Sequence, residues 1–188
     1  MNIALNPNLR RISMKPRHGL DQFISKYPDF PKAGITFYDI SPALAEPDCL
    51  KTIIDSLIVI ANEYKPDIIA GIDARGFLFA TPLAIALGLG TIMVRKSGKL
   101  PGKVSQVSYD LEYGKASLTL QQERDLAGMR VMIVDDLIAT GGTAKAAETL
   151  ITKSGGIVAG IAVLIELTGL KARDQLTAPV SSLQQYEY

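Results

Sequence analysis

The chain has 188 residues, 47% hydrophobic and 21% charged, with a formal net charge of +1. That composition supports a globular core and excludes recognition of nucleic acid or membrane by bulk charge. Cys49 is the single cysteine and His18 the single histidine, which excludes an internal disulfide, a cysteine-rich metal site and any centre needing two imidazoles.

The opening "MNIALNPNLRRISMKPRHG" holds no apolar stretch of signal-peptide length, and no run in the chain approaches a membrane span. A cytoplasmic location is expected, with Arg10, Arg11, Lys15 and Arg17 in a solvated arm. From Cys49 to Tyr64, Leu50, Ile53, Ile54, Leu57, Ile58 and Ala61 recur at helical spacing, and Pro66 ends the helix. "DIIAG" (67–71) predicts a buried strand. "FLFATPLAIALG" (77–88) predicts a helix stopped by Gly88, with Pro82 a point of limitation or kinking. "TIMVR" (91–95), "VMIV" (131–134) and "IVAGIAVLIEL" (157–167) predict further strands, and "VSSL" (180–183) a short one. "TAKAAETLITKSGG" (143–156) predicts a helix with a glycine stop. Apolar strands alternating with helices indicate an α/β fold, a mostly parallel sheet flanked by helices. One segment breaks the pattern: "VSQVSYDLEYGKASLTL" (104–120) alternates with period two about Gly114-Lys115. It predicts a β-hairpin projecting from the sheet, with Val107, Tyr109, Leu111 and Tyr113 on one face and Asp110 and Glu112 on the other. No linker divides the chain, so a single domain over 1–188 is expected.

The chemistry is concentrated in "VMIVDDLIATGGT". Ligands of open α/β sheets bind beyond the carboxyl ends of the strands, and Asp135 and Asp136 are expected there, directly after "VMIV". Adjacent carboxylates raise the cost of ionising each other, so such a pair usually meets hydroxyls, cations or a metal. Ala139, Gly141 and Gly142 leave backbone N–H groups open to an anion at a helix N-terminus, and Thr140 and Thr143 add hydroxyls. A sugar phosphate would supply both the diol and the phosphate. A nucleotide P-loop does not fit, because the Gly-Lys pairs at 98–99, 102–103 and 114–115 lack the Ser or Thr that must follow.

This tract resembles the signature of the type I phosphoribosyltransferases, which act on 5-phosphoribosyl 1-pyrophosphate. "YPDFPKAGITFYDISP" (27–42), "GIDARGFLFA" (71–80), "RKSGKLPG" (95–102), "YDLEYGKASL" (109–118) and "IELTGLKARDQL" (165–176) resemble the adenine-specific branch of that family in order and spacing. The resemblance implies the type I fold, with a small N-terminal hood, an N-terminal arm (1–26) and a flexible flap (96–120). It implies that Asp135 and Asp136 accept from the ribose hydroxyls and that Ala139 to Thr143 wrap the 5′-phosphate. Arg75, Arg95, Lys96 and Lys99 would meet the pyrophosphate, beside a cis peptide at Asp73–Ala74. Phe37 and Leu167 would sandwich adenine, with the backbone around Thr36 and Tyr38 reading its edge. Glu112 would be catalytic, moving a proton on adenine or stabilising a ribosyl cation. Mg²⁺ is the implied cofactor, held by substrate and water with no direct protein ligand, and a homodimer the implied assembly. Tyr38 and Ser97 depart from the basic residues of some members. Two rivals remain open: a ligand-sensing regulator that binds nucleic acid, for which only the short basic arm speaks, and a phosphoribosyltransferase for 6-oxopurines. The latter enzymes generally place a lysine near the C-terminal strands, where this chain has "IELTGL".

Overall fold

The structure, a computed structural model, describes residues 19–111 and 114–187. The chain divides into two compact units between Thr52 and Ile53. In the first, a 3-10 turn (Leu20–Phe23) leads into β1 (Ser25–Tyr27), which pairs antiparallel with β2 (Phe37–Asp39) in the register Tyr27↔Phe37. The Asp39 carboxylate accepts from the Ser41 N–H at 2.9 Å and the Ser41 hydroxyl at 2.6 Å, which starts α1 (Ser41–Ala45). Helix α2 (Pro47–Tyr64) runs on into the second unit. The segment 1–26 thus includes paired strand, while Arg10, Arg11, Lys15 and Arg17 lie outside the described residues.

The second unit continues with β3 (Ile68–Ile72), α3 (Gly76–Leu87), β4 (Gly90–Lys96), β5 (Val104–Leu111), β6 (Gly114–Gln121) and β7 (Arg130–Ile138). After these come α4 (Gly142–Lys153), β8 (Ile157–Leu167), two 3-10 turns (Thr168–Leu170 and Ala172–Gln175) and β9 (Val180–Tyr186). One seven-stranded sheet has the order β5-β6-β4-β3-β7-β8-β9. From β4 to β9 the pairs are parallel, and β5 and β6 form an antiparallel edge. The expected α/β class holds. Every residue of β3 is buried, as a central strand covered on both faces requires. Helix α4 packs Ala147, Leu150 and Ile151 into one cluster with Ile68, Ala70, Val131 and Ile133. On the other face, a Cβ at Gly71 would come within 2.9 Å of Ala80 and Phe77 of α3. Tyr64 occupies the space above Gly160, where a Cβ would lie 2.3 Å from the ring.

Four expectations need correction. Asp135 and Asp136 do not follow their strand; they lie inside β7, which extends to Ile138 because β8 keeps pairing with it. The hairpin does not simply project, since Arg95↔Thr119 and Lys96↔Leu118 join β6 to β4 and make it the edge of the sheet. Its turn is not Gly114-Lys115: the register closes on Leu111↔Gly114, so the connection is 112–113, outside the described residues. Pro82 sits inside α3 without ending it, and the helix stops at Gly88, a left-handed C-cap with φ +69°.

Candidate active site

The site arises where the sheet reverses its winding. From β3 the chain moves outward to β4 and later returns to place β7 on the opposite side of β3, and such a switch point leaves a crevice beyond the carboxyl ends. Strands β3 and β7 pair from Ile68↔Val131 to Gly71↔Val134. Beyond that register β7 is supported by β8 alone, so one flank of Asp135 and Asp136 faces the turn after β3. That turn holds a cis peptide at Asp73–Ala74, as the resemblance implied. Helix α3 then begins tight against β7, because a Cβ at Gly76 would lie 2.5 Å from the Val134 carbonyl oxygen and 3.1 Å from Asp135 Oδ1. The obstacle is backbone, which cannot rotate away. Gly76→Ala is therefore expected to cost about 1–3 kcal/mol, the usual range for overpacking, measurable by urea unfolding.

The two carboxylates are unequal. The Asp136 N–H donates to Asp135 Oδ1 at 2.9 Å, and Arg75 Nε lies 2.8 Å from Asp136 Oδ2. No hydrogen bond reaches that buried Oδ2, so the guanidinium offsets its charge without filling it as an acceptor. Burial pushes the Asp135 carboxyl well above the ordinary range, and the Asp136 charge adds to the effect. Burial also raises Asp136, with Arg75 opposing. A buried acceptor that has a guanidinium beside it but no hydrogen bond, within a costly acid pair, suits a ligand that brings hydroxyl donors.

Immediately after β7, residues 139–143 turn into α4 through Gly141, whose φ of +90° favours glycine. The Lys145 N–H donates to the Gly141 carbonyl at 2.8 Å and closes the first helical turn. The Thr143 hydroxyl donates to the Tyr109 hydroxyl of the hairpin at 3.3 Å, and Gln175 Nε2 donates to the Thr140 carbonyl. Both α3 and α4 thus begin just past the ends of neighbouring strands, and their N-terminal donors give the crevice a positive bias.

The expected cations fall into two groups. Lys96 and Lys99 are exposed on the strand end and loop beside the crevice. Arg95 is engaged: its Nε donates to Asp73 Oδ2 at 3.1 Å, its Nη1 to the Lys99 carbonyl at 3.3 Å, and its guanidinium lies 5.8 Å from the Phe77 ring centre. It ties the cis turn to the lysine loop. In the first unit, Thr36 precedes β2 and Phe37 is half-buried, its ring meeting Phe30 edge to face at 5.4 Å. Tyr38 is buried, and strand alternation sends its side chain to the opposite face from Phe37. Leu167, in the second unit, is the buried last residue of β8. Glu112 lies outside the described residues.

Sequence reasoning missed the support behind the loop. Glu166 is 2% exposed at the end of β8 and forms a two-pronged pair with Arg173, Nε–Oε1 at 2.6 Å and Nη2–Oε2 at 2.7 Å. Ser182 Oγ and Gln185 Nε2 donate to it as well, at 2.6 and 3.1 Å. Arg173, first among these partners, holds the Glu166 carboxyl down at about 2. The available signal was a lone carboxylate inside an otherwise apolar strand. Because the folded value is depressed, the stabilisation is complete above the ordinary carboxylate range and is lost as pH falls toward about 2. The stability gap between wild type and Glu166→Gln is expected to close across that window in urea unfolding at stepped pH.

A family model, the phosphoribosyl transferase domain, matches residues 44–184. The chain belongs to that family. Within it, the chain is 48% identical over 168 residues to the adenine phosphoribosyltransferase of Rhodospirillum rubrum, covering 89% of this chain and 98% of that one. The crystal structure of adenine phosphoribosyltransferase from Thermoanaerobacter pseudethanolicus is similar at 45% identity and a TM-score of 0.86, covering 89% of this chain and 98% of that one. The Saccharomyces cerevisiae enzyme, solved with adenine and an imino-altritol bisphosphate, matches at 40% identity and a TM-score of 0.84, over 87% of this chain and 96% of that one.

Proposed function

We propose that the protein transfers the phosphoribosyl group of 5-phosphoribosyl 1-pyrophosphate to adenine, giving AMP and pyrophosphate in purine salvage. The observation that carries this reading is the unfilled Asp136 acceptor beside Asp135 and the 139–143 loop at one switch point. In the reaction the bond from ribose C1 to pyrophosphate breaks with its electron pair on the leaving oxygen. A ring nitrogen of adenine forms the new bond to C1. Asp135 and Asp136 accept from the ribose hydroxyls and orient C1, while residues Ala139, Thr140, Gly141, Gly142 and Thr143 hold the 5′-phosphate. Arg75, Lys96 and Lys99 neutralise the departing pyrophosphate, and Arg95 contributes by joining the turn to the lysine loop. Phe37 and Leu167 contact the base, with Thr36 and Tyr38 reading it through the backbone. Glu112 either moves the proton displaced from adenine or stabilises positive charge on ribose, which resembles that of glycoside cleavage.

Among the described residues no cluster of three or more metal-ligating side chains occurs. Mg²⁺ fits here as a companion of the substrate, held by its pyrophosphate and by water, and when bound it would offset charge on the pyrophosphate. We take residues 1–188 as one functional domain with an N-terminal arm (1–26) and a flap (96–120). A homodimer is supported by Leu78 and Ile85, 49% and 76% exposed and one heptad apart on α3. A cytoplasmic site of action fits the single, buried cysteine. No helix among the described residues is long and apolar enough to cross a membrane.

The test is turnover with Mg²⁺, phosphoribosyl pyrophosphate and, in turn, adenine, hypoxanthine and guanine. Adenine is expected to exceed hypoxanthine in kcat/KM by about 10²-fold or more, because an acceptor placed for the 6-amino group meets a 6-oxo group unpaired. Comparable values would overturn the assignment.

A further inference from the structure

The loop expected to hold the 5′-phosphate does not stand alone. Directly behind it lies the 3-10 turn Ala172–Gln175. A Cβ at Gly141 would come within 3.0 Å of the Ala172 Cβ and 3.1 Å of the Ala172 carbonyl oxygen. Gln175 Nε2 donates to the carbonyl of Thr140, so the turn touches two successive loop residues. A single 3-10 turn has little stability of its own, and something outside it must hold it in place. The Arg173 guanidinium does so. It grips buried Glu166 with two hydrogen bonds at 2.6 and 2.7 Å and donates a third, at 2.8 Å, to the Val180 carbonyl. A planar fork on a carboxylate fixes direction as well as distance, which a lysine cannot reproduce. Glu166 in turn is registered opposite Ile138, the last residue of β7 before the loop. Anchor and loop therefore leave the same point of the sheet and meet again through the turn.

We infer that Arg173 and Gln175 are positioning residues for the 139–143 loop, setting how well its backbone N–H groups are aimed at the phosphate of the substrate. This rests on the reading that the loop binds the 5′-phosphate. A misplacement of less than an ångström in such a cradle weakens several hydrogen bonds at once, whereas contacts with base and ribose are untouched. The effect is therefore confined to the phosphate-bearing ligand.

AMP and adenosine differ by that phosphate alone, so the ratio of their dissociation constants reports the loop. Calorimetric titration of wild type, Gln175→Leu and Arg173→Lys with both ligands, beside thermal melts, makes the test. Gln175 is exposed, so its replacement removes the donor without opening the core. The expected result is a loss of AMP preference by about fivefold or more in Gln175→Leu, with adenosine affinity and melting temperature held. The same loss is expected in Arg173→Lys; if that variant fails to fold, Gln175→Leu decides. An unchanged ratio in folded Gln175→Leu overturns the inference and leaves the phosphate reading intact. Equal binding of AMP and adenosine by wild type overturns the phosphate reading itself, and the inference with it.

Discussion

Glu112→Gln is expected to lower kcat by about 10²–10⁴-fold while leaving the fold and the affinity for both substrates close to wild type. The hairpin alternation places the apolar residues Val107 and Tyr109 toward the core, where both are half-buried and pack against its cluster. Glu112 lies between β5 and β6 along the chain, outside the described residues. It would meet the reacting atoms when the flap covers them, so its interaction belongs to the transition state more than to the bound substrates. Such a loss lowers kcat and kcat/KM together. Steady-state kinetics beside a thermal melt check it. Wild-type turnover in a folded Glu112→Gln protein would remove the residue from the mechanism.

Asp135→Asn and Asp136→Asn are each expected to weaken phosphoribosyl pyrophosphate by about 10–100-fold, the equivalent of ~1.5–3 kcal/mol for a charge-assisted hydrogen bond. Adenine binding should change far less, and calorimetry with each substrate separates the two. The stability effects should diverge. Asp135 has a folded value raised by burial and by its neighbour, so its stabilisation is present at low pH and is lost as pH rises through that value. Burial and the neighbouring carboxylate make ionisation of Asp135 costly, and Asp135→Asn is expected to melt higher than wild type, by about 2–4 °C for each kcal/mol relieved. Asp136→Asn gains less, because it also breaks the contact with Arg75 at 2.8 Å. Unchanged phosphoribosyl pyrophosphate affinity in both variants would sink the diol role. A lower melting point for Asp135→Asn would sink the claim that function here opposes stability.

The local elements were legible because their signals are local. β3 is a continuous apolar run and β8 is one but for Glu166, so both read as buried strands, and α2 shows its apolar stripe in the order of its residues. The tract from Val131 to Thr143 likewise displayed an acid pair, small residues and a helix start within one short stretch. Composition alone ruled out disulfides and histidine-based centres.

What the order of residues could not show depends on which strands become neighbours. β7 runs on through Asp135 and Asp136 only because Val163, Ile165 and Glu166 of β8 continue to pair with it. Local propensity would have ended the strand at the first carboxylate. Arg75 reaches Asp136 because β3 and β7 lie side by side at the reversal of the sheet, and Gly76 is confined by the Val134 carbonyl for the same reason. Arg95, which the sequence offers as one more loop cation, is committed to Asp73 and the Lys99 carbonyl. The Glu166–Arg173 pair was invisible for a different reason. A carboxylate is tolerable at 2% exposure only when several donors converge on it, and Arg173, Ser182 and Gln185 come together there only after β8 and β9 have paired. The sequence by itself determined the strands, the helices and the residue types able to hold a sugar phosphate. The tertiary structure decided which of those groups meet, since pairing across the sheet joins residues whose separation along the chain carries no trace of it.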